Sequence, residues 1–80
     1  MRREEIERQV AEILALCLKR PVDPAESVVR ENEDSWDSLA HVEILLGLQD
    51  VFDLQLDPSE MQKLADSRQI VDAVLANGRG

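Results

Sequence analysis

Aromatic side chains are almost absent: Trp36 and Phe52 stand alone among 80 residues, and there is no Tyr. A core built from this chain has to be aliphatic, made of Leu, Ile, Val, Met and Ala. Glycine and proline are scarce, at three each, and helix formers dominate, so an all-α fold is expected. Cys17 is the one cysteine, which excludes an intrachain disulfide. Its neighbours Leu14, Leu16 and Leu18 mark it as a small buried hydrophobe rather than a reactive thiol. No apolar run approaches the length of a membrane span. The segment from Arg2 to Arg8 is charged everywhere except at Ile6, unlike the start of a signal peptide. A reducing cytoplasm is therefore the expected location.

What the chain does have is acid. Seventeen acidic against nine basic side chains give a net charge of −8. Nucleic acid and anionic membranes repel such a surface, so neither is an expected partner. Basic patches on other proteins are. An acidic surface also simply keeps a small protein soluble, so the placement of the charges has to decide. Length excludes more: a chain of this size makes one domain, residues 1–80, and cannot enclose both a large core and a deep substrate pocket. An enzyme is disfavoured on that ground. A hydrophobic content of 44% excludes a disordered chain.

Apolar periodicity divides the chain into helices. The first is expected over about Arg3–Lys19, with Ile6, Val10, Ile13, Leu14 and Cys17 facing inward and Glu4, Glu5, Arg8 and Glu12 facing out. Pro21 stops it. A long connection follows from Pro21 to Trp36, its middle pinned by Val28 and Val29; connections this long in small domains usually have a function. The second helix starts at Ser38, capped by Asp37, and ends near Phe52 or Asp53. Its inward stripe is read as Leu39, Val42, Leu45, Leu46 and Phe52. Ile44, Leu48 and Val51 then form an apolar excess, open to core or contact roles.

Leu54 and Leu56 are expected to turn inward from the connector that follows. A short helix from Pro58 to about Leu64 is capped by Asp57, with Met61 and Leu64 as core residues. Asp66 or Ser67 caps the last helix, whose stripe is Ile70, Val71, Val74 and Leu75. Asn77-Gly78 ends that helix, and Arg79-Gly80 is a frayed tail. The sum is three main helices and one short one, arranged as a small four-helix bundle.

The chemistry concentrates at Trp36-Asp37-Ser38-Leu39. A serine at a helix N-terminus lies where unpaired backbone N–H groups and the helix dipole favour an attached anion. It also lies outside the core, within reach of a modifying enzyme. Taken alone, Asp37-Ser38 is an ordinary helix cap.

The wider pattern resembles the acyl carrier proteins. Asp37-Ser38-Leu39-x-x-Val42-Glu43-Ile44 is similar to that family's attachment site and following turn. Leu48-Gln49-Asp50-x-Phe52-Asp53-Leu54 is similar to its acidic helix end. Lys63-Leu64 and Ile70-Val71-Asp72-x-Val74 resemble its closing segments. The resemblance runs from the first helix to about Leu75.

It implies a bundle of the acyl-carrier type, with 4′-phosphopantetheine from coenzyme A joined to Ser38 between Asp37 and Leu39. It also implies a phosphopantetheinyl transferase as partner, along with acyl-loading and acyl-accepting enzymes that bear basic patches. The carrier would be a monomer and would do no chemistry itself. Tethering raises the effective concentration of a thioester cargo at a docked enzyme. Glu43 and Asp50 match the family's acidic partner positions, and Asp53, Leu39 and His41 are expected to join them. Asp37, where aminoacyl carriers often have Gly, favours an acyl cargo. The run Ser35 to His41 looks like stand-alone carriers of specialised metabolism, such as polyketide pathways.

Departures from the pattern are Ala40 and Gln49, where acids are common, and His41. Ser67 stands where an apolar residue is common and is expected to loosen the last helix. His41 shares a helix face with Ser38, but no nucleophile elbow or orienting third residue accompanies the pair. It is read as a surface histidine that tunes partner contact, not as a base. The acids at Glu31, Glu33, Asp34 and Asp37, and at Asp53 and Asp57, lack calcium-loop spacing, so no metal site is expected. Two rivals remain: an aminoacyl or peptidyl carrier, and an unmodified acidic helical adaptor.

Overall fold

The computed structural model describes residues 2–55 and 57–77. It contains four helices, α1 (Arg3–Leu18), α2 (Ser38–Phe52), α3 (Pro58–Gln62) and α4 (Ser67–Asn77), with a single 3-10 turn at Arg30–Asn32. Among the described residues there is no strand. One isolated antiparallel bridge joins Val29 to Asp66. The fold is small and all-α, and none of its described helices is long and apolar enough to cross a membrane. Leu56, Gly78 and the Arg79-Gly80 tail lie outside the described residues, so the expectations placed on them do too.

Three of the helix starts and two of the helix ends have a local reason. Asp37 caps α2 and Asp57 caps α3 with side-chain carboxylates that accept from Ala40 N–H and Glu60 N–H, which removes one free donor from each first turn. Asp66 does the same for α4 through the N–H of Gln69. Lys19 and Asp53 end α1 and α2 in the left-handed region, at φ 60° and 51°. Their N–H groups close onto Ala15 and Gln49 carbonyls. The short α3 ends at Gln62, two residues before the expected Leu64.

α1 packs against α2 and α4. Val10 and Leu14 from α1, Ile44, Leu48 and Phe52 from α2, and Ile70 from α4 are the most completely buried large side chains. α1 and α2 meet closely at Gly47, where an added Cβ would stand 3.1 Å from Cγ2 of Ile13. Val28 from the long connection joins the core, while Val29 is half-buried. Leu54 and Leu64 are buried as expected. Cys17 and Met61 are only half-buried, and Leu75 is exposed.

The orientation of α2 differs from the sequence reading. Leu39, Val42 and Leu46 face outward, at 69%, 52% and 58% exposure, while Leu48 is fully buried. The core stripe is Ala40, Ile44, Leu48 and Phe52, and it carries His41 with it. α2 is apolar on nearly every face, so periodicity alone offered two solutions. The buried stripe is the one that includes His41, which was expected at the surface.

Candidate functional site

The long connection is tied down from both sides before it reaches Ser38. At its start, Arg20 reaches two acids. Its Nε and Nη2 donate to the two carboxylate oxygens of Glu33 at 3.0 and 3.1 Å, and Nη2 also meets Glu26 Oε2 at 2.8 Å. These bonds to Arg20 hold the Glu26 and Glu33 carboxyls below their ordinary range.

At its middle, the connection is bonded to the start of α4. Ser67 N–H donates to the Val28 carbonyl at 2.8 Å, and Arg30 N–H donates to the Ala65 carbonyl at 2.8 Å. The Ser67 hydroxyl accepts from Val28 N–H at 2.9 Å and donates to the Glu26 carbonyl at 3.4 Å. Ser67 was expected to loosen the last helix. It is instead buried and satisfied, and it fastens the connection to that helix.

The last turn before α2 is fixed by Trp36 and His41. The indole N–H of Trp36 donates to His41 Nδ1 at 3.1 Å, and His41 Nε2 lies 3.1 Å from the Met61 carbonyl. An indole nitrogen can only donate and a carbonyl can only accept. The imidazole is therefore neutral, with its proton on Nε2. Burial, the strongest influence, pushes its pKa below the usual 6.5; the Met61 carbonyl opposes this, and the positive charge of Arg30 adds to it.

His41 is not the expected surface residue: it is 6% exposed and joins the connection, α2 and α3. Both ring nitrogens are occupied, so neither is available to take a proton from Ser38. A serine–histidine nucleophile pair is not formed.

Ser38 is the first residue of α2 and is exposed. Ser35 and Ser59 donate to Glu33 and Asp57, whereas the Ser38 hydroxyl makes no hydrogen bond among the described residues. The N–H groups of Ser38 and Leu39 are at the open end of the helix, and Asp37 occupies the N–H of Ala40. Beside Ser38 an open cleft of about 440 Å³ runs between α2 and α3. Val42, Leu45 and Met61 give it apolar walls; Arg30, His41 and Gln62 complete the lining. The free hydroxyl, the open N–H groups and a nearby cation suit a phosphodiester at this serine.

Glu43 and Asp50 are exposed on α2 one heptad apart, on the same side as Leu39, Val42 and Leu46. Asp53 is exposed at the end of α2. These residues form one apolar face edged with acid. Glu43 also faces α1, where burial and its charge push the Cys17 thiol upward. Among the described residues, no group of three or more His, Cys, Asp or Glu side chains could hold a metal ion.

Sequence reasoning missed Arg30, Met61 and the anchoring role of Ser67. One signal was present for the Trp36–His41 pair. A buried indole needs an acceptor, and the chain's one histidine stands five residues away.

No family model matches this chain, and neither a curated protein nor a solved structure matches it.

Proposed function

We propose that this chain is an acyl carrier protein, a four-helix bundle bearing 4′-phosphopantetheine on Ser38. The observation that carries the reading is the exposed, unpartnered Ser38 hydroxyl at the capped start of α2, held there by a pinned connection. The resemblance of Asp37-Ser38-Leu39 and the following turns to carrier sequences supports it. So does the acid-edged face of α2, which suits basic docking patches and rapid exchange between partners.

The arm is installed by a transferase. A bond forms between Ser38 Oγ and the phosphorus bearing the pantetheine, and the pyrophosphate bond of coenzyme A breaks. Adenosine bisphosphate leaves, and the hydroxyl proton passes to solvent through the enzyme. Once bound, the arm supplies a thiol that carries acyl groups as thioesters. The chain's own residues present the arm and dock partners, and they do no acyl chemistry. A cytoplasmic monomer serving polyketide or related specialised biosynthesis is the setting that best fits the Ser35–His41 run.

The test is intact mass after incubation with coenzyme A and a promiscuous phosphopantetheinyl transferase. One added arm on the native chain and none on Ser38→Ala is the expected result. A second reading, an unmodified adaptor, is favoured by the exposed Leu39, Val42 and Leu46. It predicts no added mass with any transferase and full partner binding by Ser38→Ala.

A further inference from the structure

The cleft beside Ser38 is lined without acid on an acidic protein. Its lining holds no Asp or Glu, although seventeen of the 80 residues are acids. Its one cation is Arg30, half-buried, on the same cleft as the Ser38 hydroxyl. Arg30 is held in place: its backbone N–H bonds Ala65, and its Nε donates to the Trp36 carbonyl at 3.3 Å. No described acid pairs with its guanidinium, in contrast to Arg20, which is saturated by Glu26 and Glu33. Its charge is close enough to help depress the pKa of His41. Asp37 is the acid nearest to Ser38 in sequence, and one of its oxygens is taken by the N–H of Ala40.

An anchored guanidinium with free Nη donors, on the same cleft as Ser38 and paired with no described carboxylate, is suited to a phosphate oxygen. We propose that Arg30 is a positioning residue that clamps the phosphodiester at Ser38 and turns the start of the arm toward the wall formed by Val42 and Met61. This rests on the reading of Ser38 as the attachment site. The clamp has a chemical consequence for an arm that must be presented repeatedly. It restricts rotation about the first bonds of the tether while leaving the thiol end free.

The experiment compares the native chain before and after transferase treatment, and it follows mass, the phosphorus resonance of the arm and the side-chain Nε–H resonance of Arg30. The expected result is a single mass gain with a shifted Arg30 Nε–H signal. The phosphorus signal should also differ from that of Arg30→Gln and be partly restored in Arg30→Lys.

A mass gain with an unmoved Arg30 signal, and a phosphorus signal identical in native chain and Arg30→Gln, overturns the clamp alone. A shift that appears only after loading with a succinyl group, and not with the bare arm or an acetyl group, overturns it in favour of a cargo carboxylate at Arg30. The absence of any mass gain removes the carrier reading, and the clamp with it. The native apo and holo comparison needs no substitution, so a misfolded variant cannot decide the outcome.

Discussion

Trp36 donates its indole N–H to Nδ1 of His41 at 3.1 Å, and through this bond the residue two before Ser38 is fixed to the residue three after it. Both partners are buried. Removing one of them leaves the other unsatisfied away from water, and that is the costly case. Trp36→Phe keeps an aromatic ring in the core but leaves Nδ1 without its donor. A loss of about 1–3 kcal/mol from the unpaired group is expected, with a further packing loss from the smaller ring. Urea unfolding followed by circular dichroism measures it. A variant as stable as the native chain would show that the bond is not maintained.

The same bond makes stability depend on pH. The folded state holds His41 neutral, so its pKa lies below the unfolded value of about 6.5. Between the two values the unfolded chain binds more protons, and stability rises with pH. The contribution is therefore complete above about 6.5 and is lost as pH falls from there through the folded value. Glu26, Glu33 and Asp57 have lowered pKa values, so the stability they contribute is complete above their ordinary values of 4.5, 4.5 and 3.8 and is lost only as pH falls below them. A fall in the urea midpoint between pH 7.5 and pH 5.5 is expected for the native chain, and a flatter profile for His41→Gln. Parallel profiles for the two proteins would assign the slope to other groups.

Most of the helical layout was legible because short-range chemistry fixes it. Pro21 keeps the first helix from running further, Asp37 and Asp57 begin two others, and Ile70, Val71 and Val74 lie on the buried face as read, although Leu75, placed with them, is exposed. The rotation of α2 was not legible. Leu39, Val42 and Leu46 compete with Ile44 and Leu48 for the core at nearly equal hydrophobicity, and the deciding residue, His41, has two possible environments. Its buried state depends on a donor from the connection and an acceptor from α3, and neither is a local property. Ser67 was misread for the same reason: a buried serine is unfavourable until its partners, Val28 and Glu26, are known. The place of Ser38 was legible because a helix start is a local feature.

The two faces of α2 differ in burial, and on the proposed function they separate stability from docking. Leu48 is enclosed between helices, so Leu48→Ala should destabilise by about 2–5 kcal/mol. Leu46→Ala lies on the outer face and should change stability by no more than about 0.5 kcal/mol. On the proposed function, Leu46→Ala and Glu43→Lys should instead slow modification by the transferase at unchanged stability. Urea midpoints and the initial rate of mass gain give both quantities on the same samples. Equal destabilisation by Leu46→Ala and Leu48→Ala would return α2 to the other orientation.

Ser38 and Ser67 offer the sharpest division of labour, since they are the same residue type at the starts of two helices. The Ser67 hydroxyl receives the buried N–H of Val28. Ser67→Ala leaves that donor unpaired and should cost about 1–3 kcal/mol. Amide exchange at Val28 should accelerate with it, as the connection works loose from α4. The hydroxyl of Ser38 supports nothing in the fold, so Ser38→Ala should leave both stability and exchange at Val28 unchanged. The transferase should see the reverse: the arm is added to Ser67→Ala, held below its unfolding temperature, and not to Ser38→Ala. Hydrogen exchange and intact mass on the two variants check both halves. A loss of stability in Ser38→Ala would make that serine a structural cap and remove the main support for attachment there.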